Sequence, residues 1–225
     1  MKRVAVLADV HGNMPALEAV LAEVQADAIV CGGDLALGPM PVEVLARMRE
    51  AEALFVRGNC DRLLGDWVQE QLPTEEVDFL AGLPLTLQLD VDGLGRVLVC
   101  HATPRDDDEL FTKLTPDAEL EDILGDIEAD VVVCGHTHVQ FDRRVGTRRV
   151  VNAGSVGMPF EGPPGAFWAL LGPDVELRRT EYDTERAADA IDRSGHPSPE
   201  QFAKYLREPQ SGEAWSEYFE SARGT

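Results

Sequence analysis

Basic residues are scarce in this chain: 20 Lys and Arg stand against 41 Asp and Glu, giving a net charge of −21. A dedicated nucleic-acid binder spends Lys and Arg on phosphates, so stable binding of DNA or RNA is not expected. Long apolar runs are missing too. The stretch after Met1-Lys2-Arg3 ends at Asp9 after five apolar residues, too short for the core of a signal peptide. Nothing approaches the ~20 apolar residues that span a bilayer. The chain therefore reads as soluble and cytoplasmic, with no membrane partner. The four cysteines form no C-x-x-C pair, which excludes a zinc knuckle and a thioredoxin motif. A disulfide framework is not expected in an intracellular chain of this size. Cys31, Cys100 and Cys134 each end a short apolar run and read as small buried strand residues.

Two common phosphate chemistries are absent as well. There is no Gly-Lys dipeptide, hence no Walker A loop. Six positions after the four cysteines stand Leu37, Asp66, Asp106 and Gln140, so no Cys-x₅-Arg phosphatase loop exists. Gly154-Ser155-Val156-Gly157 lacks the first glycine of a hydrolase elbow, which Ala153 replaces.

What is present is a well-supplied core, with 44% hydrophobic residues in a length that suits one large domain. Short, continuous apolar runs at Arg3–Ala8, Ala28–Cys31, Ala53–Val56, Arg96–Cys100 and Asp130–Cys134 read as strands covered on both faces. Helical patterns lie between several of them. Leu17, Val20, Leu21 and Val24 fall on one helix face, and Val42–Arg49 and Ala118–Ile127 read similarly. Alternating strands and helices imply an α/β fold. After residue 140 the pattern changes. Phe141–Val145, Arg148–Asn152, Ala166–Leu171 and Val175–Glu181 read as consecutive strands joined by Gly- and Pro-bearing turns. A second, more antiparallel sheet packed on the first accounts for this. From Thr184 onward the chain turns helical and mostly polar, so residues 1–183 read as the main domain and 184–225 as a helical extension packed on it.

Four histidines, His11, His101, His136 and His138, sit where an apolar run gives way to a loop, and Asp9, Asp34 and Asn59 occupy the same kind of position. Open α/β sheets bind ligands outside the carboxyl ends of their strands. Five strand ends thus offer similar chemistry to one crevice: Asp9-x-His11, Gly33-Asp34, Gly58-Asn59, His101 and Gly135-His136-Thr137-His138. Nitrogen and oxygen donors without thiolate pairs suit Mn, Fe, Zn, Ni or Co, and Mg less well. Seven such donors are too many for one tetrahedral zinc. Two divalent ions sharing one bridging carboxylate use them all.

The order D-x-H, GGD, GN-x-D, H, GH-x-H, running from Asp9 to His138, resembles that of the calcineurin-like metallophosphoesterase superfamily. Asn152-Ala153-Gly154-Ser155-Val156-Gly157 is similar to the NPGSVG segment of its small prokaryotic phosphodiesterase branch. The resemblance covers roughly the first 170 residues. It implies a four-layer αββα sandwich of two mixed sheets flanked by helices. It also implies a phosphoesterase in which two divalent ions, manganese being the expected one, direct a hydroxide onto phosphorus. Carried over by position, Asp9, His11 and His138 hold the first ion, Asp34 bridges, and Asn59, His101 and His136 hold the second. Asn13 faces the phosphate.

One position departs from the commonest family pattern. Most members read GNH[DE], and that histidine, paired with the acid, protonates the leaving group; here the segment is Gly58-Asn59-Cys60-Asp61. A thiol is the poorer proton donor at neutral pH, and losing a general acid costs ~10²–10⁴ in rate. Cys60 and Asp61 are therefore the candidate catalytic pair in a weakened form, with Asp61 free to orient Asn59 or pair with Arg62. Diesters and esters with good leaving groups are the expected substrates, small nucleotides or metabolite esters ahead of long polyanions. The alternative is a catalytically weak or inactive scaffold on the same fold. The acidic run Asp106-Asp107-Asp108-Glu109 reads as a solvated loop. A homo-oligomer is compatible with the sequence.

Overall fold

The computed structural model describes residues 1–223; positions 224 and 225 of the expected helical extension lie outside the described residues. The chain begins β1 (Val4–Leu7), α1 (Met14–Glu23), β2 (Ala28–Cys31), α2 (Pro41–Glu50) and β3 (Leu54–Phe55). Three short helices follow, α3 (Asn59–Arg62), α4 (Gly65–Gln71) and α5 (Thr74–Ala81). Next come β4 (Thr86–Val91), β5 (Gly95–Cys100), α6 (Asp117–Leu124) and β6 (Val131–Cys134). Four strands continue, β7 (Phe141–Val145), β8 (Arg148–Asn152), β9 (Ala166–Leu171) and β10 (Val175–Thr180), and the chain closes with α7 (Thr184–Asp192), α8 (Glu200–Arg207) and α9 (Gly212–Ala222).

The strands form two five-stranded mixed sheets, ordered β10-β9-β1-β2-β3 and β4-β5-β6-β8-β7. In the first, β1, β2 and β3 run parallel, while β9 is antiparallel to β1 and to β10. In the second, β5, β6 and β8 run parallel, with β4 and β7 as antiparallel edges.

Alternation along each strand assigns side chains to layers. Val4 and Val6 join Val97, Val99, Val131, Val133 and Val151 in a core between the sheets. Ala5 and Leu7 face the other way, against Leu17, Val20, Val44, Leu45 and Met48 of α1 and α2. Leu98, Val132 and Val150 pack outward on Leu120, Ile123 and Leu124 of α6. The result is helix, sheet, sheet, helix. The three cysteines read as buried strand residues are buried, Cys31 under the first helical layer and Cys100 and Cys134 under the second.

The division between the sheets does not fall at residue 140. β5 and β6 belong with β7 and β8, and β9 and β10 return to the first sheet beside β1. Every residue of β9 is buried, so it needs a partner on each side. Pairing across the molecule, rather than order in the chain, decides which sheet a strand joins. β4 and the helices α3 to α5 were not legible as elements. For β4 the signal existed: Leu87, Leu89 and Val91 alternate toward the inter-sheet core.

The extension folds as three helices. α7 starts at Asp183, whose side chain accepts from Arg186 N at 2.9 Å. α7 and α8 bury Ala187, Ala188, Ile191, Ala203 and Leu206 against Met40 and Tyr182. Among the described residues, no helix is long and apolar enough to cross a membrane.

Candidate metal centre

Each candidate ligand lies just beyond a strand's carboxyl end: Asp9 and His11 after β1, Asp34 after β2, His101 after β5, and His136 and His138 after β6; Asn59, after β3, opens the short α3. The two sheets together gather them at one place. The backbone there is strained. Asp9, His11, Asp34, His136 and His138 all have positive φ, between 44° and 66°; Glu52 is the one other described non-glycine residue that does. Such left-handed residues cost of order 1–3 kcal/mol each and persist where the surroundings over-determine them. Close approach is needed as well. A Cβ on Gly58 would overlap Asp34 Oδ1, and one on Gly135 would overlap Asp9 Oδ2. Both glycines let backbone press against a carboxylate.

Hydrogen bonds assign the histidine tautomers. His11 Nδ1 lies 3.1 Å from Leu37 O, His101 Nδ1 2.9 Å from Gly32 O, and His138 Nδ1 2.6 Å from Met158 O. A carbonyl only accepts, so each Nδ1 carries the proton and each Nε2 is turned inward. His136 is reversed: its Nε2 donates to Asp108 O at 3.2 Å, leaving Nδ1 as the open nitrogen.

The inward atoms crowd one another. His11 Nε2 and His138 Nε2 stand 3.3 Å apart. Asp9 Oδ1 lies 3.1 Å from His138 Nε2, 3.9 Å from His101 Nε2 and 4.0 Å from His11 Nε2. Asp34 Oδ2 lies 3.5 Å from His101 Nε2 and 3.7 Å from His11 Nε2. Asn59 Oδ1 is 3.2 Å from His101 Nε2. Asp9 Oδ1 is buried with no hydrogen-bond partner, an arrangement that is costly unless something positive reaches it.

The electrostatics agree. Burial opposes charge on both aspartates, yet the neighbouring histidines outweigh it, His138 and His101 at Asp9 and His101 at Asp34, and both carboxyls are held below their ordinary value. Burial likewise opposes charge on His101, but Asp34 and Asp9 push it up to about 10. One proton there does not serve the rest. Burial pushes His11 down, and burial followed by His101 pushes His136 down to about 4. Those rings therefore stay neutral, each with a lone pair available to a metal ion.

The donor set fits metal ions. Asp9, His11 and His138 bring ligand atoms within 4.8 Å of one another, and so do Asp9, Asp34 and His101. Bonds of ~2.0–2.3 Å to a common ion permit such separations. A third group, His11, Asp34 and Cys60, meets the same limit. His136 lies at the edge, its ring 5.0 Å from that of His101.

The remaining sequence candidates have other occupations. Asn13 does not join the group. Its Oδ1 caps α1 through Ala16 N at 3.1 Å, and its Nδ2 donates to Gly157 O at 2.8 Å, so both ends of the amide have partners within the fold. Asp61 makes no ion pair with Arg62, whose guanidinium goes to Asp107 instead. Asp61 accepts from the backbone N–H groups of Asp34, Leu35 and Gly58 at 2.8, 3.0 and 3.0 Å and ties the Gly33-Asp34 turn to the Gly58-Asn59 turn. Burial and then Asp34 raise its carboxyl to about 6, despite those donors. Cys60 donates its N–H to Asp34 Oδ1 at 2.9 Å, and its thiol is pushed far above its ordinary value by burial and by the same carboxylate.

Other contributors had no assigned role in the sequence. Ser155 Oγ donates to Asp9 O at 2.7 Å, and Asn152 Nδ2 donates to Gly135 O at 2.6 Å, so the segment 152–157 braces two ligand turns at once. The acidic run is not simply solvated. Asp107 is buried and bonded to Arg57 Nε and Arg62 Nη2, each at 2.9 Å. Arginines on either side of Gly58-Asn59 and an acid after His101 were the available signal, but their pairing needed the fold.

Comparison with known proteins agrees with this geometry. A family model described as the calcineurin-like phosphoesterase superfamily domain matches residues 1–171. An uncharacterized protein of Methanocaldococcus jannaschii is 28% identical over 226 residues, covering 84% of this chain and 91% of the relative. The phosphodiesterase YfcE of Escherichia coli K12 is 29% identical over 192 residues, 78% of this chain and 90% of its own. The crystal structure of a metallophosphoesterase from Sphaerobacter thermophilus superposes with a TM-score of 0.75 at 27% identity, covering 91% of this chain and 98% of that one. The chain belongs to the calcineurin-like phosphoesterase superfamily.

Proposed function

We propose that this protein hydrolyses phosphodiesters and activated phosphate esters of small molecules at a centre of two divalent ions. Asp9, His11 and His138 would hold one ion, Asn59, His101 and His136 the other, and Asp34 would serve both. Manganese is the ion expected; iron, zinc, nickel, cobalt and magnesium are the alternatives. The observation that carries this reading is Asp9 Oδ1, a buried carboxylate oxygen with no hydrogen-bond partner, facing the Nε2 atoms of three histidines. When bound, such ions supply positive charge for the phosphate and acidify a water that then serves as nucleophile.

The chain's own residues do the rest. Four backbone carbonyls fix the histidine tautomers, so the open nitrogens are aimed before any ion arrives. Asp61 holds the backbone of Asp34, and Ser155 holds that of Asp9. Two divalent ions would outweigh the two aspartates and make the cleft positive within an acidic protein. Cys60 stands where most members carry the proton-donating histidine, and its half-buried thiol is a poorer proton donor at neutral pH than an imidazolium. Substrates whose leaving oxygen needs little protonation are therefore favoured.

Metal-free protein reloaded with Mn²⁺ is assayed on an aryl phosphodiester and an alkyl phosphomonoester, with Asp34→Asn beside it. Turnover of the diester is expected only with metal and only with Asp34. Diester turnover that survives chelation, or persists in Asp34→Asn, removes the reading. A binding role without catalysis has one feature in its favour, Cys60; the complete donor set argues against it.

A further inference from the structure

The family match ends at residue 171, yet α9 reaches the rings behind the metal centre. His138 is held by two contacts from one loop without regular structure. Met158 O accepts from Nδ1 at 2.6 Å, and the Phe160 ring stacks on the imidazole at 4.5 Å with 25° between planes. The hydrogen bond sets the tautomer, while the stack sets the plane of the ring and so the line along which Nε2 points. Phe160 is in turn covered on α9's side. The Trp215 ring lies 4.0 Å away at 13°, nearly parallel, and the Phe219 ring 5.9 Å away at 26°.

The other end of α9 is tied to a second metal-bearing loop. Glu220 Oε2 accepts from Thr112 Oγ1 at 2.7 Å and Thr115 Oγ1 at 2.8 Å, and Arg223 Nε donates to Leu110 O at 3.1 Å. That loop follows His101 and includes Asp108, whose carbonyl accepts from His136 Nε2. One helix therefore spans the supports of both histidines in the Gly135-His136-Thr137-His138 turn. Its seating is close, since a Cβ on Gly212 would come within 3.0 Å of Val139 Cγ1 and 3.3 Å of Phe160 O.

We propose that α9 is a strap that sets metal affinity, with Trp215 and Phe160 as positioning residues that aim His138 through a continuous ring stack. The inference rests on His138 being a metal ligand. Trp215 Nε1–H is buried without an acceptor. The ring face, not the donor, is thus what the indole contributes, and phenylalanine at 215 preserves it.

Mn²⁺ is titrated calorimetrically into the metal-free full chain at a temperature where circular dichroism shows each variant folded. Trp215→Phe is expected to bind within about twofold of wild type. Trp215→Leu and Phe160→Leu keep apolar bulk but lose the stack, and each is expected to bind about tenfold more weakly, the lower end of the effect of disturbing a ligand's support. Purely structural roles would lower the melting temperature and leave Mn²⁺ affinity unmoved; that result, or equal weakening in Trp215→Phe, overturns the proposal. Should Trp215→Leu fail to fold, Phe160→Leu decides alone. His138→Ala separates the two levels of inference. If it binds Mn²⁺ like wild type, the metal-centre reading falls and the strap with it. If it binds weakly while folded Trp215→Leu does not, only the strap is wrong.

Discussion

Replacing Asp107 by asparagine tests whether an acid from an apparently solvated run is a structural tie. The side chain is 5% exposed and faces Arg57, 23% exposed, and Arg62, 41% exposed. Breaking a fully buried ion pair costs ~3–5 kcal/mol, and losing an exposed one ~0–1 kcal/mol. The Arg57 pair falls between these limits, at ~1–2 kcal/mol once solvent screening is allowed for. The more exposed Arg62 pair adds at most ~0.5 kcal/mol. The expected loss is about 2 kcal/mol, which for a chain of this size lowers the melting temperature by ~4–8 °C. Thermal unfolding of the metal-free protein measures it without ligand linkage. The pH dependence has a definite sign. Burial opposes the Asp107 charge, but its hydrogen bonds from Arg62 and Arg57 outweigh that and hold the carboxyl below its ordinary 3.8. Such a group stabilises above the unfolded value and loses its contribution as pH falls through the folded one. The gap between wild type and Asp107→Asn is thus expected in full at pH 7 and shrinking below about pH 4. A melting shift within ~1 °C at pH 7 is what a solvated aspartate gives, and it would refute the tie.

Cys60→His is expected to raise turnover of alkyl monoesters by up to ~10²–10⁴ while leaving activated diesters less affected; no gain in a variant that folds and binds both ions removes the proposed deficit of general acid. Gly58→Ala forces a methyl into Asp34 Oδ1, so a loss of about 3 kcal/mol in denaturant unfolding is expected, with weakened Mn²⁺ binding; wild-type stability would show that the turn relaxes. Chelation should lower the melting temperature of protein saturated with Mn²⁺ at 100 times its dissociation constant by ~5–10 °C, the equivalent of ~2.7 kcal/mol. An unchanged transition would mean that the histidines and aspartates hold no ion in the folded state.

The strand runs and the residues at their ends were readable because both signals are local. A continuous Val-rich run followed by Gly and Asp or His marks a buried strand that ends in a turn, whatever lies elsewhere in the chain. Asp9, His11, Asp34, His101 and His138 were accordingly placed together before their neighbours were known, and the structure brings them within a few ångströms. Asn13 and Asp61 carried the same kind of local cue, yet their side chains answer to backbone N–H groups and carbonyls that only folding supplies. Residue type says what a side chain can bond; partners tens of residues away decide what it does bond.

By itself the sequence determined an α/β chain with buried strands, the donors clustered at strand ends, and a cysteine at the position of the usual proton donor. Tertiary structure alone decided which strands share a sheet, because β9 finds both partners across the molecule. It also set the tautomer of each histidine through a distant carbonyl, the burial of Asp107 between two arginines, and the placement of α9 behind His138. These are relations between surfaces far apart in the chain, and no local pattern encodes the packing that brings them together.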